Sequence, residues 1–309
     1  MADALPGDEA AHEDLTIWAA GWPSIHTHTT KKKRKDEMSL LEKITTGTRP
    51  KPPRILVYGP AGVGKSSWAA QAPSPIFIPT EDGLDQIDCA RFDHMTDYAK
   101  FIECLKSVRD EQHEFKTLVI DSLTALQNLV TDGVCKAAGV KFIETAYGGY
   151  NRGQSAALTQ MRKEVYSLFD EIRAKRNMAI VQIAHDHIEN VKRADGTTDR
   201  RLAPRLIAGI CDWVAEWNDI VISADFRTIE DANGNRMIVG KNGGEREMYA
   251  VGTMHRLAKN RYNIAPGPHP FTWAALWEAI STANAGANAP AAAATTTTTT
   301  TETTHQEGK

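Results

Sequence analysis

The stretch Gly59-Pro60-Ala61-Gly62-Val63-Gly64-Lys65-Ser66 follows a short apolar run, Ile55 to Tyr58, and opens into a helix-compatible segment from Ser66 to Gln71. Strand, glycine-rich turn and helix in that order, with the spacing G-x-x-x-x-G-K-S, are what a phosphate-binding loop requires. Glycines at 59, 62 and 64 let the backbone turn successive N–H groups inward to form a concave nest for phosphate oxygens. The helix adds its positive N-terminal end, and Lys65 adds a full charge for the β and γ phosphates. Ser66 is placed to offer its hydroxyl to Mg²⁺. The expected cradle for ATP and Mg²⁺ therefore comprises Gly59, Pro60, Ala61, Gly62, Val63, Gly64, Lys65, Ser66 and Ser67.

Composition narrows the setting. The 309 residues are 41% hydrophobic and 24% charged, enough for one large α/β domain with extensions at both ends. No apolar run approaches the roughly 20 residues that cross a bilayer, and Met1 to Ala11 is acidic and polar where a secretory signal is basic and then apolar. A cytoplasmic protein without a membrane partner is expected. Cys89, Cys104, Cys135 and Cys211 are scattered without C-x-x-C spacing, which favours neither a disulfide framework nor a structural zinc site. A net charge of −3 argues against coating nucleic acid through bulk positive charge, so any such contact must come from local patches.

Residues 1–50 show no sustained period and carry the basic run Lys31-Lys32-Lys33-Arg34-Lys35. This run reads as a solvated linker, with a nuclear-localisation or nucleic-acid tail as the other reading. Residues 281–309 are Ala-rich and then Thr-rich and are expected to be disordered. Residues 51–280 form the expected domain. There, apolar runs at Arg54–Tyr58, Pro75–Pro79, Thr117–Ile120, Met178–Ala184 and Asp219–Ala224 alternate with helix-period segments at Thr96–Asp110, Leu123–Ala138, Gln154–Arg176 and Leu206–Glu216. Such alternation predicts a mostly parallel sheet flanked by helices. Past residue 225, Asn233-Gly234 and Asn242-Gly243-Gly244 predict antiparallel hairpins before a last helix, Thr272–Ile280. Trp213 with Trp217, and Trp273 with Trp277, are spaced i, i+4 and are expected to pack in the core.

A second piece of chemistry is Thr117-Leu118-Val119-Ile120-Asp121-Ser122, a buried strand ending in an acid. Asp121 is expected to hold a Mg²⁺-bound water from the strand next to the phosphate loop, making Ser66 and Asp121 the metal pair. No glutamate follows Asp121, so the group that activates water must lie elsewhere. Glu81, ending the strand Ile76–Pro79, is the candidate if that strand lies beside the first one. Asp82 is its substitute, and capping of the next turn is the competing role.

In this order, phosphate loop, Glu81, Asp121-Ser122 and a strand Ile180–Ala184 ending at His185, the chain resembles the RecA-type core from about Arg54 to Phe271. It is most similar to phage-encoded RecA-like ATPases, including the Sak group of single-strand annealing proteins. The resemblance implies a RecA-like P-loop NTPase fold with an antiparallel C-terminal extension, and ATP hydrolysis on single-stranded DNA during phage recombination, annealing or replication. It also implies a homo-oligomeric ring or filament, with a single-strand binding protein as a candidate partner, in the host cytoplasm. His185 matches the residue that senses the γ-phosphate, although RecA has glutamine there. Ala258-Lys259-Asn260-Arg261 resembles the stretch that reaches a neighbour's nucleotide, which gives Lys259 and Arg261 a catalytic role in trans, with His255 and Arg256 in reserve; a basic surface strand end is the other reading. Two segments match the DNA-binding loops: one with Tyr147, Tyr150 and Arg152, the other, Asp186 to Arg205, with Lys192, Arg193, Arg200, Arg201 and Arg205. The rival expectations are a phosphotransferase acting on a small molecule and a nucleotide switch that loads a replication protein.

Overall fold

The computed structural model describes residues 41, 44–46, 51–230, 236–239 and 244–287. The basic run at residues 31–35, the Asn233-Gly234 and Asn242-Gly243 turns and the Thr-rich tail lie outside the described residues.

Strand β1 (Arg54–Gly59) leads into helix α1 (Lys65–Ala69), followed by β2 (Pro75–Pro79), β3 (Ala90–Arg91), α2 (Tyr98–Asp110), β4 (Thr117–Asp121) and α3 (Leu123–Ala138). A 3₁₀ turn, Ile143–Gly148, precedes a continuous helical rod made of α4 (Arg152–Gln160), a π-helical stretch (Met161–Tyr166) and α5 (Ser167–Arg176). The chain continues through β5 (Ala179–Lys192), β6 (Thr198–Pro204), α6 (Ala208–Trp217), β7 (Ile220–Phe226), β8 (Thr228–Glu230), β9 (Arg236–Ile238), β10 (Arg246–Tyr249), β11 (Lys259–Asn260), β12 (His269–Pro270) and α7 (Trp273–Ala287). Capping explains several boundaries. Asp97 accepts a hydrogen bond from the Lys100 amide at 2.9 Å to start α2, Ser122 accepts one from the Ala125 amide at 3.2 Å to start α3, and Gly139 at φ 66° ends α3.

The main sheet runs β12-β10-β7-β1-β5-β4-β2-β3. From β3 to β7 every pairing is parallel, whereas β10, β11 and β12 each run antiparallel to the strand they join. This is the mostly parallel, helix-flanked fold with an antiparallel C-terminal extension that the motif order implied. Alternation along β1 splits the core in two. Leu56 and Tyr58 face a cluster with Phe101, Leu126, Tyr166 and Phe169, while Ile55 and Val57 face one with Trp68, Phe271 and Trp273. Trp213 and Trp217 pack edge-on against Tyr166 at 4.5 and 4.8 Å between ring centroids, so they belong to the core. On the opposite face Trp68 stacks on Phe271 at 5.5 Å and tilts against Trp273 at 5.0 Å. Those rings hold α1, a helix of only 5 residues, in place beneath its phosphate loop.

Two sequence expectations about strand neighbours are corrected. The strand of Asp121 is not next to the phosphate-loop strand, because β5 is inserted between β1 and β4. Nor does the Glu81 strand lie beside β1, since β5 and β4 both intervene. A third correction concerns Asp186 to Arg205, which is not a mobile loop. Strand β5 continues to Lys192 and turns back as β6, with Asp186 opposite Pro204 and Lys192 opposite Thr198. His187 is therefore a strand residue, opposite Ala203. The last helix also runs to Ala287, past the point where the tail was expected to begin.

Candidate nucleotide site

Parallel strands deliver their C-terminal ends to one edge, and this edge collects the predicted residues. Gly59 ends β1 opposite His185 of β5, while Asp121 ends β4 opposite Ile183. A β-carbon on Gly59 would lie 2.3 Å from the Ala224 carbonyl oxygen, so only glycine lets the loop leave β1 this close to β7. Gly64, at φ 92°, caps α1. A cavity of about 350 Å³ opens beside the loop, lined among others by Gly62, Lys65, Ser66, Glu81, Asp121 and His185. Asp82 lines it as well.

Lys65 is buried, and its ammonium donates to the carbonyls of Gly59 at 2.8 Å and Pro60 at 2.9 Å. Burial pulls its pKa below the ordinary lysine value, against the pull of Asp186, Asp121 and Glu81. Ser66 donates its hydroxyl to the Asp121 carboxylate at 2.5 Å. Burial pushes Asp121 above the usual carboxylate range, with the Ser66 hydrogen bond opposing it. A hydroxyl and a carboxylate oxygen in contact are hard donors suited to Mg²⁺, which takes few protein ligands and fills its shell with water and phosphate oxygens. Ser66 and Asp121 would hold that ion, whose chemistry is to neutralise charge on phosphate oxygens.

Glu81 reaches the same edge by an indirect route. Beyond β2 the chain folds back over the end of β4, with the amides of Thr80 and Glu81 both donating to the Asp121 carbonyl at 2.6 and 3.2 Å. Thr80 and Ser122 lock this crossing. The Thr80 hydroxyl donates to the Ser122 carbonyl at 2.6 Å and accepts from the Ser122 amide at 2.8 Å. Ser122 then donates its own hydroxyl to Glu81 Oε1 at 2.5 Å, and His185 Nε2 lies 2.9 Å from Glu81 Oε2. Burial alone would raise the Glu81 pKa, yet the hydrogen bonds from Ser122 and His185 bring it below the ordinary glutamate value. Glu81 is thus ionised, oriented and open to the cavity. Thr80 and Ser122 were not anticipated as site residues, and the Thr80-Glu81 and Asp121-Ser122 pairs at adjacent strand ends carry their only sequence signal.

The remaining predicted residues fall elsewhere. Lys259 and Arg261 lie at the opposite edge of the sheet, beside the start of β7. Lys259 donates to the carbonyls of Ala215 and Glu216 at the end of α6, and Arg261 bonds Asp219 and the Glu216 carbonyl. Within this chain neither reaches the cavity. His255 belongs to the segment that binds β6, its carbonyl accepting from the Leu202 amide, and Arg256 donates to Ser223 and Asp225. On the β5–β6 hairpin Arg193 pairs with Asp199 and Arg201 with Glu189, while Lys192 and Arg200 are exposed without an ion pair among the described residues. Arg205 was expected on DNA. Its amide ties the hairpin base to the His185 carbonyl at 2.7 Å, and its charge acts on Lys65 and Glu81.

Tyr147, Gly148, Gly149, Tyr150 and Asn151 all have positive φ, between 53° and 87°. Left-handed backbone at the three residues with side chains costs on the order of 1–2 kcal/mol each. The turn presents Tyr150, 93% exposed, beside Arg152, whose guanidinium donates to the Tyr147 carbonyl at 3.2 Å.

Fold and site together define a nucleotide-binding domain of the phosphate-loop class. The chain belongs to the AAA domain family, whose AAA_24 model matches residues 51–262. It is also 24% identical over 100 residues to the SPbeta prophage-derived uncharacterized protein YorG of Bacillus subtilis (strain 168). That match covers 31% of this chain and 31% of the relative. Among solved structures, the RadB recombinase aligns with a TM-score of 0.39 and 15% identity over 73% of this chain and 90% of that one. Among the described residues no helix is long and apolar enough to cross a membrane.

Proposed function

We propose that this protein is a Mg²⁺-dependent ATPase that acts on single-stranded DNA in phage-type recombination, annealing or replication. The observation that carries the enzymatic part is the convergence of Lys65, the Ser66–Asp121 pair and the Ser122–Glu81–His185 cluster on one cavity. Lys65 would exchange its carbonyl partners for phosphate oxygens. Glu81, held ionised, takes a proton from water as the water oxygen bonds to the γ-phosphorus and the bond to the β-phosphate oxygen breaks. His185 orients Glu81 and begins the hairpin, so it is the residue through which phosphate occupancy would reach β5 and β6.

The left-handed turn supports the DNA reading. An exposed tyrosine next to an arginine offers a stacking plane and a phosphate contact, which suit single strands without sequence preference. Lys192 and Arg200 on the hairpin add charge that is unpaired among the described residues, and the similarity to a prophage-derived protein fits the phage setting. In an assembled ring or filament, Lys259 and Arg261 would face a neighbour's nucleotide, a role for which the half-exposed Arg261 is the better placed.

The test is ATP hydrolysis by the purified protein with and without a single-stranded oligonucleotide, with Lys65→Ala as the blank. Several-fold stimulation that disappears in the blank is expected. Turnover indifferent to DNA, with no DNA bound in the presence of a non-hydrolysable ATP analogue, would overturn the DNA reading and leave a small-molecule phosphotransferase or a protein-loading switch.

A further inference from the structure

The cavity has a cation that the phosphate-loop motif does not include. Strand β10 pairs with β7, placing Arg246 opposite Phe226 at the same edge of the sheet as the loop. Its guanidinium Nη1 lies 3.1 Å, and Cζ 3.6 Å, from where a β-carbon on Gly64 would stand. Arg246 lines the cavity together with Lys65, Ser66 and Glu81. Among the described residues no hydrogen bond or ion pair takes this guanidinium. The acids near it in sequence are used elsewhere, Glu245 by Arg227 and Glu247 by the Tyr249 hydroxyl. Across the cavity Asp121 is bonded by Ser66, and Glu81 by Ser122 and His185. Arg227, next to the paired Phe226, and Arg256, bonded to Asp225 of β7, present a contrast, since both have carboxylate partners.

We infer that Arg246 binds the phosphate chain of the nucleotide from within the same chain that supplies the loop. This rests on the nucleotide reading of the site and names a further contact residue in it. An arginine over a phosphate loop gives charge-assisted, fork-shaped hydrogen bonds that lysine cannot reproduce. Lys65 approaches from the floor of the cradle, where it is already anchored to the loop carbonyls. Arg246 approaches over Gly64. A nucleoside di- or triphosphate is the ligand class, because adenosine alone has no charge for the guanidinium to meet.

The experiment uses the full chain and titrates fluorescent ATP and ADP analogues and adenosine against wild type, Arg246→Ala, Arg246→Lys and Lys65→Ala, with thermal melting in the absence of nucleotide as a fold check. Arg246→Ala is expected to weaken ATP binding about tenfold or more. It should leave adenosine binding and the nucleotide-free melting temperature unchanged, and Arg246→Lys should recover part of the loss. Turnover is then measured on a mixture of Lys65→Ala and Arg246→Ala subunits. With both cations acting in one chain, mixing restores nothing. Recovery on mixing would overturn the inference by placing Arg246 on a neighbour's nucleotide. Unchanged ATP affinity in Arg246→Ala, while Lys65→Ala loses it, would overturn the inference and spare the nucleotide reading. ATP affinity unchanged in Lys65→Ala would remove the nucleotide reading itself, and the inference with it.

Discussion

The two edges of the central sheet each gather buried charge, but they treat it differently. At the edge where β7 begins, Asp219, 8% exposed, receives Arg54, Arg173 and Arg261, while Lys259 caps the end of α6. Every charge in that cluster has a partner in the same chain. At the phosphate-loop edge, among the described residues, Lys65 is bonded only to its own loop carbonyls and Arg246 has no partner, while Glu81 points into a cavity held by neutral or proton-bearing neighbours. The first edge is complete without a ligand, and the second becomes complete with a polyanion. Incomplete pairing of buried or converging charge therefore marks function better than charge density does.

Substitutions that separate stability from turnover test this contrast. Glu81→Gln should lower ATP turnover about 10²- to 10⁴-fold while ATP binding, followed by fluorescence titration, is retained; turnover near wild type would show that another group activates water. Asp219→Ala should cost roughly 3–5 kcal/mol of stability by urea unfolding, because it strands three guanidinium groups at a site where the carboxylate is buried. Its ATP affinity at a temperature where it stays folded should match wild type, and a large loss would mean that the two edges are coupled. Tyr166→Phe should cost about 1–3 kcal/mol, since its hydroxyl donates to buried Gln182 Oε1 at 2.6 Å and Gln182 in turn bonds Asn218.

Asp219 also predicts a pH signature. Burial raises its pKa, but Arg54 and Arg173 outweigh that and hold it below the ordinary aspartate value. A depressed carboxylate contributes stability that is fully present above the unfolded value of about 3.9 and is lost as pH falls through the lower folded value. Wild type should therefore lose stability below about pH 4, and Asp219→Ala should lose less over the same interval. Lys259→Ala should have the smallest effect, about 0.5–1 kcal/mol from the lost helix cap, with turnover unchanged in isolated subunits. A fall in turnover confined to the assembled protein would add to this edge the duty toward a neighbour's nucleotide proposed for Lys259 and Arg261, whereas no fall there would leave the edge purely structural.

Local chemistry was legible in the sequence and long-range pairing was not. The cradle from Gly59 to Ser67, the carboxylate at the end of β4 and the bounds of α2 and α3 follow from spacing, period and capping, all set within a few residues. Strand order is nonlocal, so nothing near Ile76–Pro79 tells that β5 and β4 stand between that strand and β1. The way Glu81 still reaches the cavity depends on Thr80 bonding Ser122, a contact between residues 42 apart. The β5–β6 hairpin was missed because Ile188 and Val191 stand three residues apart among His187, Glu189 and Asn190, so no period-2 alternation marks a strand there. Arg246 had no signal, since a lone arginine opening a four-residue strand matches no motif.

The hairpin has a mechanical consequence. Both of its roots, His185 and Arg205, are joined by a hydrogen bond at the lip of the cavity, and seven residues of β6 carry it outward. At about 3.3 Å per residue that is an arm of roughly 20 Å, so a tilt of about 5° at the roots sweeps the tip through about 2 Å. A small tilt started by a hydrogen bond changing hands at Glu81 would, by leverage alone, become a displacement large enough to make or release a contact at the far end.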